Sequence, residues 1–184
     1  KRSIDGFRIR FPDEMTDWER GSLWGKYENH ERILVKKYLR PDDRVLEMGA
    51  CIGVVSLTIN RILSDKSKQV SVEPNPQMHK YLLENKDVNQ GEFQIEKAIV
   101  SKENEVDFFI GGEAFLGSTQ FGSGNSLKIK GITYEELECK YFPFTAIVMD
   151  IEGAELFFLC SFNLLETEVR LIIWETHNFS NLLS

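Results

Sequence analysis

The segment Val45–Gly53, VLEMGACIG, constrains this chain most, because an apolar strand that runs through glycines into a helix pattern is the entry half of a βαβ unit. The helix that follows is GVVSLTINRIL, in which Val55, Ile59, Ile62 and Leu63 share one face, and KQVSVEP supplies the second strand. Asn75 and Pro76 then form an N-cap and first-turn pair for a helix over NPQMHKYLLENKDVN. Upstream, YENHERILVKKYLRPDD has helical spacing that Pro41 and two aspartates stop. Downstream, EFQIEKAIV, EVDFFIG and SLKIKGI read as strands, and Thr133 with Glu136 has capping-box spacing. FTAIVMDIEGAELFFL passes from strand to acidic turn to helix, and EVRLIIWETH is a near-continuous apolar strand of the kind buried on both faces. The alternation predicts an α/β fold, a doubly wound and mostly parallel sheet in one domain. Residues 1–40 form a lead-in and helix, and 41–184 the core.

With 42% hydrophobic and 28% charged residues, 184 residues suffice for one sizeable core. A net charge of -7 with no basic patch argues against nucleic acid and anionic membranes as partners. The three cysteines, Cys51, Cys139 and Cys160, have neither disulfide nor zinc spacing, which fits a reducing, cytoplasmic setting. No apolar run approaches a membrane span.

In sheets of this class ligands sit beyond the carboxyl ends of the strands, and four such ends carry acids: Glu47, Glu73, the Asp150/Glu152 pair, and Glu175 near His177. Gly49 permits a tight turn and Gly53 lets the next helix begin close to a ligand. An acid at Glu47 repels a diphosphate, and Cys51 stands where a dinucleotide loop has its middle glycine. Glu73, twenty residues beyond Gly53, is placed to accept both hydroxyls of a ribose. Together these favour S-adenosylmethionine, which has a ribose, an amine and a sulfonium but no phosphate, over NAD. Each acid also has a structural alternative: Glu47 as a buried, paired carboxylate, Glu73 as a cap for the Asn75 helix.

The segments VLEMGACIGVVSL, VSVEPNPQMHKYLLENKDVN, IEKAIVS, ITYEEL, IVMDIEGAE and LIIWETH, in that order, resemble FkbM-type S-adenosylmethionine-dependent methyltransferases over most of the chain from Tyr27 onward. The resemblance implies a Rossmann-like methyltransferase fold and O-methylation of a hydroxyl on a sugar or natural-product-like small molecule. It implies that Glu47, Gly49, Ala50 and Gly53 hold the amino-acid end of the cofactor and Glu73 the ribose. Pro74, Asn75 and Met78 would lie on its adenosine side, with Ala98 and Ile99 flanking the adenine. The family usually has Asp at position 47, Asn at 51 and Lys at 149, where this chain has Glu, Cys and Met. The fold normally closes with a helix and an antiparallel hairpin after its fifth strand, whereas this chain stops at NFSNLLS, so a fragment or a trimmed sheet is expected.

Methyl transfer to oxygen needs the hydroxyl held about 3–3.5 Å from the methyl carbon and a base for its proton. The candidates are Asp150, Glu152 and His177, with Gly153 allowing the strand to break so that both carboxylates approach one site. Glu155 reads as first-turn charge on the next helix. The two carboxylates and the histidine could also hold a divalent metal, but the sequence does not resemble the metal-dependent class, and no metal site is expected. Gly111 to Ser126, with five glycines in sixteen residues, reads as a long loop, either a mobile cover for the acceptor or an Ω-loop packed on itself. A binding module without turnover and an NAD-dependent oxidoreductase are the rival readings.

Overall fold

The computed structural model describes residues 2–13, 15, 28–110, 117–118, 126–151 and 154–175. In chain order the strands are β1 (Arg2–Ile4), β2 (Phe7–Ile9), β3 (Val45–Met48), β4 (Gln69–Val72), β5 (Gln94–Glu96), β6 (Ile99–Val100), β7 (Glu105–Ile110), β8 (Gly117–Ser118), β9 (Ser126–Ile132), β10 (Ala146–Met149) and β11 (Leu171–Trp174). The helices are α1 (Asn29–Tyr38), α2 (Val54–Ile62), α3 (Pro76–Val88), α4 (Tyr134–Lys140) and α5 (Glu155–Ser161).

Five strands form an all-parallel sheet in the order β11-β10-β3-β4-β5. The chain winds one way from β3 through β4 to β5 and the other way from β10 to β11, so the direction reverses between β3 and β10. A crevice at the carboxyl ends of those two strands is the ligand position such a reversal creates. β3, β4 and β10 are buried on both faces, which explains their unbroken apolar runs. Val45, Ala146, Val148 and Ile173 pack against Val35 of α1 and Val55 and Ile59 of α2. Met48, Val72 and Met149 face the other way, against Leu137 of α4 and Phe158 of α5.

Several expectations are met at the level of single atoms. Asn75 caps α3 through the Gln77 amide, Pro76 opens that helix, and Thr133 and Glu136 form both halves of a capping box on α4. Others are corrected. β11 is not buried on both faces: it lies at the edge of the sheet among the described residues, and Trp174 is 42% exposed. EFQIEKAIV is two strands, because Lys97 and Ala98 leave the parallel sheet and β6 joins another. That second sheet, β6-β9-β7-β8, pairs β6 with β9 in parallel and β7 with β8 and β9 antiparallel. Gly117–Ser118, inside the expected loop, is a strand of this sheet; most of the rest of that loop lies outside the described residues.

A β1–β2 hairpin closes the far side of the glycine loop. Asp5 and Gly6 both have positive φ, 51° and 85°, the two-residue turn that matches strand twist. Ile4, Phe7 and Ile9 of this hairpin share a core with Ile52, Leu57 and Leu82. Asp5 is paired with Arg32 and Lys36 of α1, which holds its carboxyl below the usual range.

Candidate active site

β3 ends at Met48, and the next residue must pass β10 at close range. Gly49 has φ +88°, and a Cβ there would collide with the Asp150 carbonyl oxygen, so only glycine lets the two strand ends meet. The Asp150 amide in turn donates to Met48 O at 3.0 Å. Gly53, also at positive φ, starts α2 hard against Leu82.

The loop amides are already committed. Gly49 and Ala50 N–H donate to Val72 O at 2.9 and 3.1 Å, Gly53 N–H to Ala50 O at 2.8 Å, and Cys51 N–H to the Glu73 carboxylate at 2.6 Å. A loop of this kind has little left with which to cradle a phosphate. Cys51 itself takes a left-handed conformation, φ 48°, so the side chain at this position matters less than the amide it turns toward Glu73.

Glu73 lies just past β4. Its other oxygen accepts from the Asn75 amide at 2.6 Å, and its backbone carbonyl accepts from His79 Nε2 at 2.8 Å. The carboxylate thus stitches the glycine loop to the start of α3, the capping role foreseen as one alternative, and it also lines a cavity of about 520 Å³. Burial pushes its pKa up to about 7, against the pull of the two amides.

Gly49, Pro74, Asn75, Ala98, Ile99 and Asp150 line the same cavity. Asn75 is 2% exposed; its side-chain oxygen is fixed by Gln77, and its Nδ2 has no hydrogen-bond partner among the described residues. A buried donor held open on a ligand cavity fits a ligand rich in acceptors, such as an adenosine. Five carboxylates, including Glu28, Glu73 and Asp150, line the cavity against the single basic residue Lys102, among the described residues. That balance suits a cationic cofactor and opposes a diphosphate.

The structure does not bring every expected residue there. Glu47 lies within β3, one position short of the strand end, and points under α2. It is 2% exposed, accepts from Ser71 Oγ and, at 3.4 Å, from Gln69 Nε2, and does not line the cavity. The expectation that it holds the cofactor's amino-acid end is therefore corrected: strand alternation turns it to the opposite face from Met48. Burial raises its pKa. Ala50 and Met78 are core residues of the hairpin side, and Gly53 acts through the packing of α2. Glu152 and His177 lie outside the described residues. Glu175 is exposed beside β11. Glu155 is buried and accepts from Ile151 N–H at 3.1 Å, bracing the turn after β10 rather than only placing charge in a helix.

Two features went unforeseen. Asn85 of α3 is fully buried and donates to both Arg10 O and Ile52 O at 2.9 Å, tying the N-terminal segment to the glycine loop. The far half of the cavity is walled by Phe108, Tyr134, Phe158 and Phe162, which come from three separate stretches of sequence.

No curated protein sequence matches the chain. Among solved structures, a protein of Pyrococcus horikoshii described as a candidate transferase aligns at 19% identity and TM-score 0.41, over 76% of this chain and 39% of its own. The YcgJ protein of Bacillus subtilis aligns at 15% and 0.37, over 65% and 37%, and a candidate O-methyltransferase of Klebsiella pneumoniae at 12% and 0.40, over 81% and 51%. The chain therefore spans about half the length of these structures or less. Among the described residues no helix is long and apolar enough to cross a membrane. The model of the TRM5/TYW2 methyltransferase domain matches residues 18–113, more than half of the 184 and the whole of the β3–loop–α2–β4–α3 unit. The FkbM type is a finer assignment than this match reaches. On that match the chain belongs to the TRM5/TYW2 methyltransferase domain family, and its methyl donor is S-adenosylmethionine.

Proposed function

We propose that this chain is an O-methyltransferase of the FkbM type, moving a methyl group to a hydroxyl of a small sugar or natural-product-like acceptor. The observation that carries this reading is the Glu73 carboxylate, held by the Cys51 and Asn75 amides at the mouth of a cavity rich in acids and poor in cations. Each carboxylate oxygen keeps a lone pair beyond the amide it accepts from, enough for the two hydroxyls of a ribose. Asn75 Nδ2 supplies a donor beside them, with Pro74, Ala98 and Ile99 as apolar walls for an adenine.

Bound S-adenosylmethionine supplies an electrophilic methyl on a sulfonium. Asp150, whose backbone abuts Gly49 and which lines the cavity, would take the proton of the acceptor hydroxyl as it accepts that methyl. Gly49 sets the distance between the two strand ends and so the approach of acceptor to methyl. Glu152, two residues further on, and His177, after β11, remain candidates from the sequence for sharing the proton transfer.

The test is titration calorimetry with S-adenosylhomocysteine, followed by a labelled-methyl assay on pooled carbohydrates and phenolic natural products. Binding with transfer to a hydroxyl supports the reading. Binding without any transfer would make the chain a cofactor-binding module, and binding of NAD instead would overturn both.

A further inference from the structure

The half of the cavity beyond Ile99 differs in kind from the half around Glu73. Phe158 and Phe162 stack with centroids 5.1 Å apart and planes 21° apart, and Tyr134 meets Phe162 edge-on at 4.9 Å. Tyr134 is further braced by Phe144 at 5.8 Å. Rings locked against one another in this way present fixed faces, with no entropy to lose on binding a ligand. Phe157, on α5, also lines the cavity and is 71% exposed.

Three hydroxyls that line this half each hold one bond within the protein. The Tyr134 hydroxyl donates to Glu138 at 2.8 Å, Thr133 Oγ1 accepts from the Glu136 amide at 3.1 Å as a helix cap, and Ser101 Oγ accepts from the Glu103 amide at 3.1 Å. A sugar carries a hydroxyl on nearly every carbon, and each one buried here without a partner costs on the order of 1–3 kcal/mol. A flat ring with one or two hydroxyls loses nothing of the kind and gains ring contacts.

Resting on the methyltransferase reading above, we infer that the acceptor is a planar aromatic hydroxyl compound, a phenol or catechol, seated against Phe157, Phe158 and Phe162 with its hydroxyl toward Asp150. A polyhydroxylated sugar would leave more of its hydroxyls unpartnered against these rings, and is the poorer acceptor. Phe157 is the specificity-determining residue that closes the seat from the solvent side.

The experiment uses the whole chain with 4-methylcatechol and methyl glucoside as probes. Binding of each is measured with and without saturating S-adenosylhomocysteine, and transfer of labelled methyl from S-adenosylmethionine is measured in parallel. The expected result is that 4-methylcatechol binds alongside the cofactor product and accepts methyl, and the glucoside does neither. Phe157→Ala, at an exposed site that leaves folding intact, raises the KM for the catechol about fivefold and leaves cofactor affinity unchanged. Competition between the catechol and S-adenosylhomocysteine would overturn the inference, since the rings would then seat the adenine. Equal use of the glucoside, or no catechol binding at millimolar concentration, would overturn it as well. Failure of S-adenosylhomocysteine to bind would instead sink the cofactor reading, and catechol binding to the chain alone would still decide the aromatic seat.

Discussion

The ends of β3 and β4 each carry a glutamate, and in the sequence the two rank as equals. Glu47 and Glu73 both follow apolar strands, and both sit at the spacing of a cofactor acid. In the structure two residues of register separate them, since Glu47 pairs with Ser71 and not with Glu73. Glu73 comes after the last residue of its strand and turns into the cavity, whereas Glu47 is still inside β3 and its side chain is buried there. Position relative to the strand end, not residue type, decides which acid meets the ligand.

The largest effect expected from breaking this arrangement is at Gly49. Gly49→Ala combines positive φ with a collision against the Asp150 carbonyl, and should cost about 3 kcal/mol or more in a denaturant titration. Loss of under about 1 kcal/mol would mean that the β3 and β10 ends are not held in contact as described.

The acids behind the loop set a pH dependence of similar size. Burial, and then the charges of Asp150, Glu47 and Glu175, push Glu31 up to about 9, and Glu73 is raised to about 7, from an ordinary value of 4.5. A raised carboxyl keeps its proton in the folded state after the unfolded chain has released it. Stability is therefore full below about pH 4.5 as far as these groups are concerned, and falls as pH rises toward 7 for Glu73 and toward 9 for Glu31. The loss summed over both is on the order of a few kcal/mol, and thermal melts at pH 5 and pH 8 would reveal it. A higher melting temperature at pH 8 would contradict the burial of these carboxyls.

A smaller effect separates the loop from the arm behind it. Asn85→Ala removes the bonds to Arg10 O and Ile52 O and should cost about 2 kcal/mol, with a matching loss of amide-exchange protection in the β1–β2 hairpin. Protection unchanged in the hairpin would show that its apolar contacts alone hold it. The smallest change is expected at Cys51. Cys51→Gly relieves a left-handed residue but frees the unfolded chain, so stability should move by less than about 1 kcal/mol and the Cys51 amide bond to Glu73 should persist.

The central unit was legible because its signals are local and chemical: apolar strands, glycines at forced turns, an Asn–Pro helix start and a capping box. The hairpin escaped notice although Asp5–Gly6 is a hairpin turn pair, since strands of three residues show too little alternation to stand out. The second sheet was hidden for a different reason: β6, β7 and β9 have strand composition, and composition does not say which sheet a strand joins. The aromatic wall is assembled from β7, α4, α5 and the turn after it, so no window of sequence contains it. Glu47 looks like a strand-end acid in sequence because the glycine follows so soon, but β3 runs one residue further, to Met48.

Calorimetry with S-adenosylhomocysteine on two isosteric variants tests the difference between the two acids most directly. Glu73→Gln must set its amide group against the Cys51 or Asn75 N–H, and is predicted to lose about tenfold or more in affinity. Glu47→Gln keeps its acceptor toward Ser71, and is predicted to bind within about twofold of the parent. The reverse pattern, with binding lost at position 47 and kept at position 73, would contradict the account.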